Sequence, residues 1–271
     1  MNYEPPKDER PEITDEVEAS RAPLLDHLIE LRARVIRSLL ALAVAAIGCF
    51  WFAGDIYFLM IRPFSAVAED IRGAPLDFIF TAPMEFFFAK LKIAVFAGLF
   101  VAFPVIAWQV YAFVAPGLYK SERGAFWPYL VMAPILFALG GAVVYFAMLP
   151  MLAQFTVSME EAGGTGTTIR LLPKVADYLS LVMALMLAFG ISFQLPLVLT
   201  LLGRIGLISS RTLARDRKYA IVGILAFAAV FTPPDPMSQI LLAVPVYLLY
   251  EVSIFCVKLI EKRTAGEAVA A

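Results

Sequence analysis

From Ile93 to Tyr119 the chain carries no charged residue. A membrane-spanning helix needs about 20 mostly apolar residues, and this run exceeds that. Ser38–Gly54, Gly124–Met159 and Tyr178–Gly203 are likewise free of charge. Lipid offers no partner for a bare peptide group, so each run has to close its backbone hydrogen bonds within a helix. The first span is expected to extend past Asp55 toward Met60.

Two further apolar runs, Tyr219–Pro234 and Pro236–Tyr250, flank the sequence TPPDP. Pro233, Pro234 and Pro236 lack amide donors and clash with a continuing helix. A hairpin of two short helices follows, giving six spans. At 1.5 Å per residue, about 15 residues reach roughly 23 Å, less than the roughly 30 Å hydrocarbon core, so the bilayer is expected to thin around the pair. The fold class is all-α and polytopic. Pro104, Pro134, Pro196 and Pro245 are expected to kink their helices, which suits a curved, concave bundle. Composition agrees: 61% of residues are hydrophobic and 17% charged, with mean hydropathy +0.80, too little polar surface for a soluble domain of this length.

Lys and Arg placement sets the orientation. Arg32, Arg34, Arg37, Lys120, Arg123, Arg204, Arg211, Arg215, Arg217, Lys218, Lys258 and Lys262 fall on one side, with the cations of both tails. The other side holds only Arg62, Arg72, Lys90, Lys92, Arg170 and Lys174. Both termini are therefore expected in the cytoplasm. Residues 1–22 are acidic and proline-rich and lack the features of a secretory signal peptide; they are expected to be a disordered tail. Residues 23–260 form the membrane domain and 261–271 a cytoplasmic C-terminal tail. The outer segments Ile61–Met84 and Pro150–Ala176 are expected as long loops, with Phe64, Leu76, Phe78, Ile79 and Phe80 packing them onto the bundle.

The chemistry of catalysis is missing. His27 is the single histidine, Cys49 and Cys256 lie in apolar runs, and no nucleophile elbow or phosphate loop occurs. No metal, cofactor, enzymatic activity or nucleic-acid partner is expected; the net charge is −1. A small-molecule or ion transporter stays open as the alternative, although such proteins usually keep charges or broken helices at the bilayer midplane, where this chain has glutamine and proline.

Two acids stand out. Pro23–Arg37 carries an apolar stripe of Leu24, Leu28, Leu31 and Val35, with Glu30 four residues ahead of Arg34. The loop FVAPGLYKSER, residues 113–123, holds Glu122 between cations. Positive-inside topology explains the cations and leaves the acids unexplained. Together, Glu30 and Glu122 could hold a cationic peptide through paired guanidinium hydrogen bonds, with Phe113 as an aromatic wall.

Four stretches, HLIELRARV, FVAPGLYKSER, YLSLVMALMLAFGISFQLPLVL and FTPPDPMSQILLAVPVYLLYE, together resemble the TatC family, the core receptor of the twin-arginine protein translocase. The resemblance implies six helices in a glove-like bundle, the last two short, in the bacterial cytoplasmic membrane. It implies binding of twin-arginine signal peptides of folded cargo, assembly with TatA and TatB in a homo-oligomeric complex, and transport driven by the proton-motive force. Carried over by position, Glu30 and Glu122 match the acids that contact the arginine pair and Phe113 the aromatic beside them. Arg32 and Lys120 match positions that shape the site. Pro63 and Pro104 match structural prolines, and Asp235 caps the outer turn. Thr232 and Gln239 match polar positions where partner helices dock. Gln194 departs from the glutamate of several relatives; it cannot titrate and is expected to serve as a neutral docking partner.

Overall fold

A computed structural model describes residues 13–114, 127–162, 168–169, 171–232 and 236–270. Within them the regular structure is helical apart from a two-residue antiparallel ladder, β1 (Glu161–Ala162) with β2 (Thr168–Ile169), and a parallel bridge of Ile79 to Lys174. Five helical stretches are long and apolar enough to cross a membrane: His27–Trp51, Glu85–Phe113, Pro128–Ser158, Val175–Arg204 and Pro236–Lys262. A sixth apolar helix is shorter. The all-α polytopic architecture expected from the apolar runs is present.

α1 (Ile13–Trp51) starts inside the segment assigned to the tail, so residues 13–22 are helical. It stops at Phe52 and does not continue to Met60, because α2 (Ala53–Arg72) turns away there. α2 is the first correction to the outer loops: most of Ile61–Met84 was expected as loop, and its first half is helix. Pro63 sits inside α2. The pattern that makes this helix is amphipathic, with Tyr57, Met60, Ile61, Phe64 and Ala68 buried on one stripe. Gly73 ends it at φ 70°, donating its N–H to Glu69 O, a left-handed cap that favours glycine. Leu76 is buried and Phe78 packs on the core, but Ile79 and Phe80 are exposed.

α3 (Glu85–Val114) runs unbroken through Pro104. α4 (Trp127–Val143) passes through a π segment, Val144–Met148, into α5 (Leu149–Ser158). Pro150 follows the wide turn directly and offers no N–H to the carbonyl of Phe146, the usual cause of such a distortion. α6 (Val175–Ser192) breaks at Phe193–Gln194 before α7 (Leu195–Arg204); Pro196 would clash with the carbonyl of Ser192. The kink expected at Pro196 is thus a true helix break. α8 (Ser210–Arg215) leads into the hairpin of α9 (Arg217–Phe231) and α10 (Pro236–Ala270).

That hairpin carries the second correction. α9 has 15 residues and is short, as expected. α10 has 35 residues and an apolar window of 27, roughly 40 Å at 1.5 Å per residue, so it is not short. The run was expected to end before Glu251. It continues because Glu251 accepts from Arg217 Nη2 at 2.7 Å and from Tyr247 Oη at 2.7 Å, which removes the cost of carrying that acid in an apolar helix. The helix also continues through the residues expected as a C-terminal tail.

The core lies among α2, α3, α5, α6 and α10, where Phe189, Ile93, Leu149, Leu179 and Leu242 are fully buried. Leu42, Val95, Leu187 and Phe231, from α1, α3, α6 and α9, line an apolar hollow of about 600 Å³, the concave face of a curved bundle. None of the apolar window of α1 is buried; this helix leans on α3. Contact is closest at Gly98, where a Cβ would come within 2.7 Å of the Ala46 backbone. Small residues let membrane helices approach this closely. Gly98→Val is expected to destabilise the protein by about 1–3 kcal/mol, measured by thermal unfolding in detergent. Unchanged stability would mean that α1 and α3 can separate there without penalty.

Candidate functional site

The inner part of α1 sets His27, Glu30 and Arg34 on one face, at helical spacings of three and four. Glu30 accepts from Arg34 Nε at 3.0 Å and Nη2 at 2.5 Å. Both bonds reach Oε1; among the described residues Oε2 accepts from no donor. The Glu30 side chain is 37% exposed and that of Arg34 18%. The guanidinium is therefore the more enclosed partner and the carboxylate faces outward.

One turn toward the N-terminus, the His27 ring stacks on Phe113 at the inner end of α3, with centroids 4.2 Å apart and planes 21° from parallel. Phe113 is half-buried. Through His27, Phe113 thus lies against the face of α1 that carries Glu30. Arg32 is exposed on the same helix and forms no ion pair among the described residues. Glu122 and Lys120 lie outside the described residues, as does Asp235.

Three polar residues of the spans, Gln194, Thr232 and Gln239, are bonded within the chain, whereas Gln109 of α3 buries its Oε1 with no partner among the described residues. At the α6–α7 break, Gln194 Nε2 donates to Ala133 O of α4 at 3.1 Å and to Gly190 O at 3.4 Å. Thr232 is buried and donates its hydroxyl to Ala228 O at 2.9 Å, closing α9. Gln239 Nε2 donates to Leu225 O at 3.2 Å, tying α10 back to α9. In lipid such bonds satisfy donors that would otherwise be costly. The described residues hold no group of three His, Cys, Asp or Glu side chains fit to bind a metal ion.

A family model described as TatC, Sec-independent protein translocase protein, matches residues 26–245. The chain belongs to the TatC family. The TatC of Magnetococcus marinus is 41% identical over 250 residues, covering 92% of this chain and 89% of the relative. That of Escherichia coli K12 is 38% identical over 233 residues, covering 86% and 87%. A crystal structure of the twin-arginine translocase receptor TatC superposes with TM-score 0.76 at 36% identity, over 87% of this chain and 99% of that one. This TatC homologue is accordingly a multi-pass membrane protein and a component of the protein translocase, a transport protein rather than an enzyme. The curved bundle is that of the family.

Several residues escaped the sequence reading. His27 looked isolated, yet its place three residues before Glu30 puts it on the same face. Arg72 and Glu160 form an ion pair at the end of the TatC bundle where α2 stops, 88 positions apart and with no sequence signal to join them. Glu261 accepts from Ser210 N at 2.8 Å and Ser210 Oγ at 2.5 Å, fixing α8 to α10.

Proposed function

We propose that this protein is the receptor and core subunit of a twin-arginine translocase in a bacterial cytoplasmic membrane, with both termini in the cytoplasm. It binds the arginine pair of signal peptides on folded cargo through Glu30 and Glu122, beside Phe113, with Arg32 and Lys120 shaping the site. It assembles as several copies with TatA and TatB, and the proton-motive force drives export. The observation that carries this reading is the outward carboxylate of Glu30, with one oxygen uncommitted among the described residues, next to an aromatic stack. The name of the solved relative, a twin-arginine translocase receptor, supports the same role.

A carboxylate pair distinguishes arginine from lysine because only guanidinium offers a planar fork of donors. The full chain in nanodiscs is expected to bind a twin-arginine signal peptide at least about tenfold more tightly than its twin-lysine version, since each charge-assisted bond contributes roughly 1.5–3 kcal/mol. Equal affinity for both peptides would overturn the receptor reading.

Gln194, Thr232 and Gln239 are proposed as docking positions for TatA and TatB. Exposed apolar side chains close to the last two, Val230 and Ile240, support a helix-facing surface. Gln194→Leu removes a bond between helices, for which about 0.6 kcal/mol is the membrane average. Stability should fall only slightly, while crosslinking to TatA or TatB and transport should drop clearly. Intact association and transport would leave Gln194 as an internal strut alone.

A further inference from the structure

On the side assigned to the cytoplasm, α8, the start of α9 and residues 254–262 of α10 border a cavity of about 580 Å³. Arg211, Arg217, Lys258 and Lys262 line it, and Glu261 is its carboxylate. That carboxylate is spent on the backbone and hydroxyl of Ser210. Arg217 is spent on Glu251. Arg211, Lys258 and Lys262 form no ion pair among the described residues. Among the described residues, three cations thus face one cavity whose only acid is already satisfied, an arrangement whose self-repulsion an incoming anion relieves.

The level of the cavity in the membrane identifies the anion. Lys258 and Lys262 occupy the end of the apolar window of α10, where hydrocarbon gives way to headgroups. Ile254 lies deeper in the same cavity. On the adjoining stripe of α10, Phe255 is 62% exposed and Leu259 46%, so the cations adjoin an apolar surface open to lipid. A phosphate ester with acyl chains meets both requirements; a soluble acidic peptide meets only the first. We infer that this cavity binds the headgroup phosphate of an anionic phospholipid of the inner leaflet, with its chains along Phe255 and Leu259. Basic pockets between spanning helices near the cytoplasmic face recognise headgroups through this combination of charge and depth.

The inference uses the orientation proposed above but does not involve signal peptides, so lipid retention tests it separately. The full chain, purified in mild detergent from membranes containing phosphatidylglycerol and phosphatidylcholine, would be examined by native mass spectrometry. The wild type is expected to retain phosphatidylglycerol selectively. R211Q/K258Q/K262Q should lose about tenfold of that retention, and R211K/K258R/K262R should keep it. R204Q/R215Q/K218Q, which neutralises inner cations outside the cavity, should also keep it. If the triple glutamine variant folds poorly, Lys258→Gln against Lys258→Arg makes the same comparison. Equal retention by the glutamine and wild-type proteins would overturn the inference. So would an equal loss in the control variant, which would indicate diffuse surface charge, or displacement of the lipid by inorganic phosphate alone, which would indicate a site for free phosphate.

Discussion

Glu160→Ala is expected to destabilise the protein by roughly 2–4 kcal/mol, the largest stability effect of any single side chain considered. Glu160 closes the end of the bundle at which α2 stops. One oxygen accepts from Arg72 Nε at 2.9 Å; the other accepts from Arg72 Nη2 and from Leu171 N at 2.7 Å. Arg72 Nη2 also donates to Leu171 O at 3.1 Å. The end of α2, the segment after α5 and the approach to α6 therefore meet at one carboxylate. The two side chains are only 16% and 19% exposed. Removing one partner of a fully buried pair costs about 3–5 kcal/mol; residual solvent screening lowers that figure here. Truncation leaves the Arg72 charge and the Leu171 N–H short of partners. Arg72→Met/Glu160→Met should recover part of the loss, because apolar residues of similar volume leave no uncompensated charge. Urea unfolding in detergent, with hydrogen exchange near Leu171, measures both. A Glu160→Ala protein as stable as wild type would show that water already screens the pair.

The parts of this fold that were legible are those the bilayer dictates. The apolar run from Ile93 had to be helical, as it is through Val114, because lipid leaves its peptide groups no other partner, and the prolines between Phe231 and Pro236 had to separate two helices because they cannot continue one. What the sequence hid depends on contacts far along the chain. Glu251 appeared to end the last apolar run because nothing local shows that Arg217, 34 residues earlier, neutralises it. α2 was hidden by Pro63, which reads as a loop residue until the buried stripe of Tyr57, Ile61 and Phe64 is set against α3 and α5. The candidate site divides in the same way. The oddness of an acid at Glu30 among inner cations was visible from topology. Phe113 could be named from its loop as an aromatic wall, but the part played by His27 needed the packing of α1 on α3.

Glu30→Gln is expected to weaken binding of a twin-arginine peptide by roughly ten- to a hundredfold, while Arg34→Gln preserves or tightens it. The asymmetry follows from which atoms are engaged. Arg34 holds Oε1 alone, so it orients the carboxylate and leaves Oε2 for the peptide. Glutamine at position 30 keeps the shape but loses the charge, and with it most of the strength of a guanidinium bond. Glutamine at position 34 frees Oε1 and removes a positive charge that repels the incoming arginines; the stack of His27 on Phe113 still holds the helix end in place. The loss in Glu30→Gln should shrink as salt rises, because the wild type loses its electrostatic advantage under screening. Fluorescence anisotropy of a labelled signal peptide, titrated with each variant in nanodiscs at two salt concentrations, distinguishes the cases. If Arg34→Gln costs as much as Glu30→Gln, the pair is a staple of α1 and the signal arginines bind elsewhere. If neither variant alters affinity, Glu30 is an ordinary solvated acid, and its pairing with Arg34 serves the helix alone.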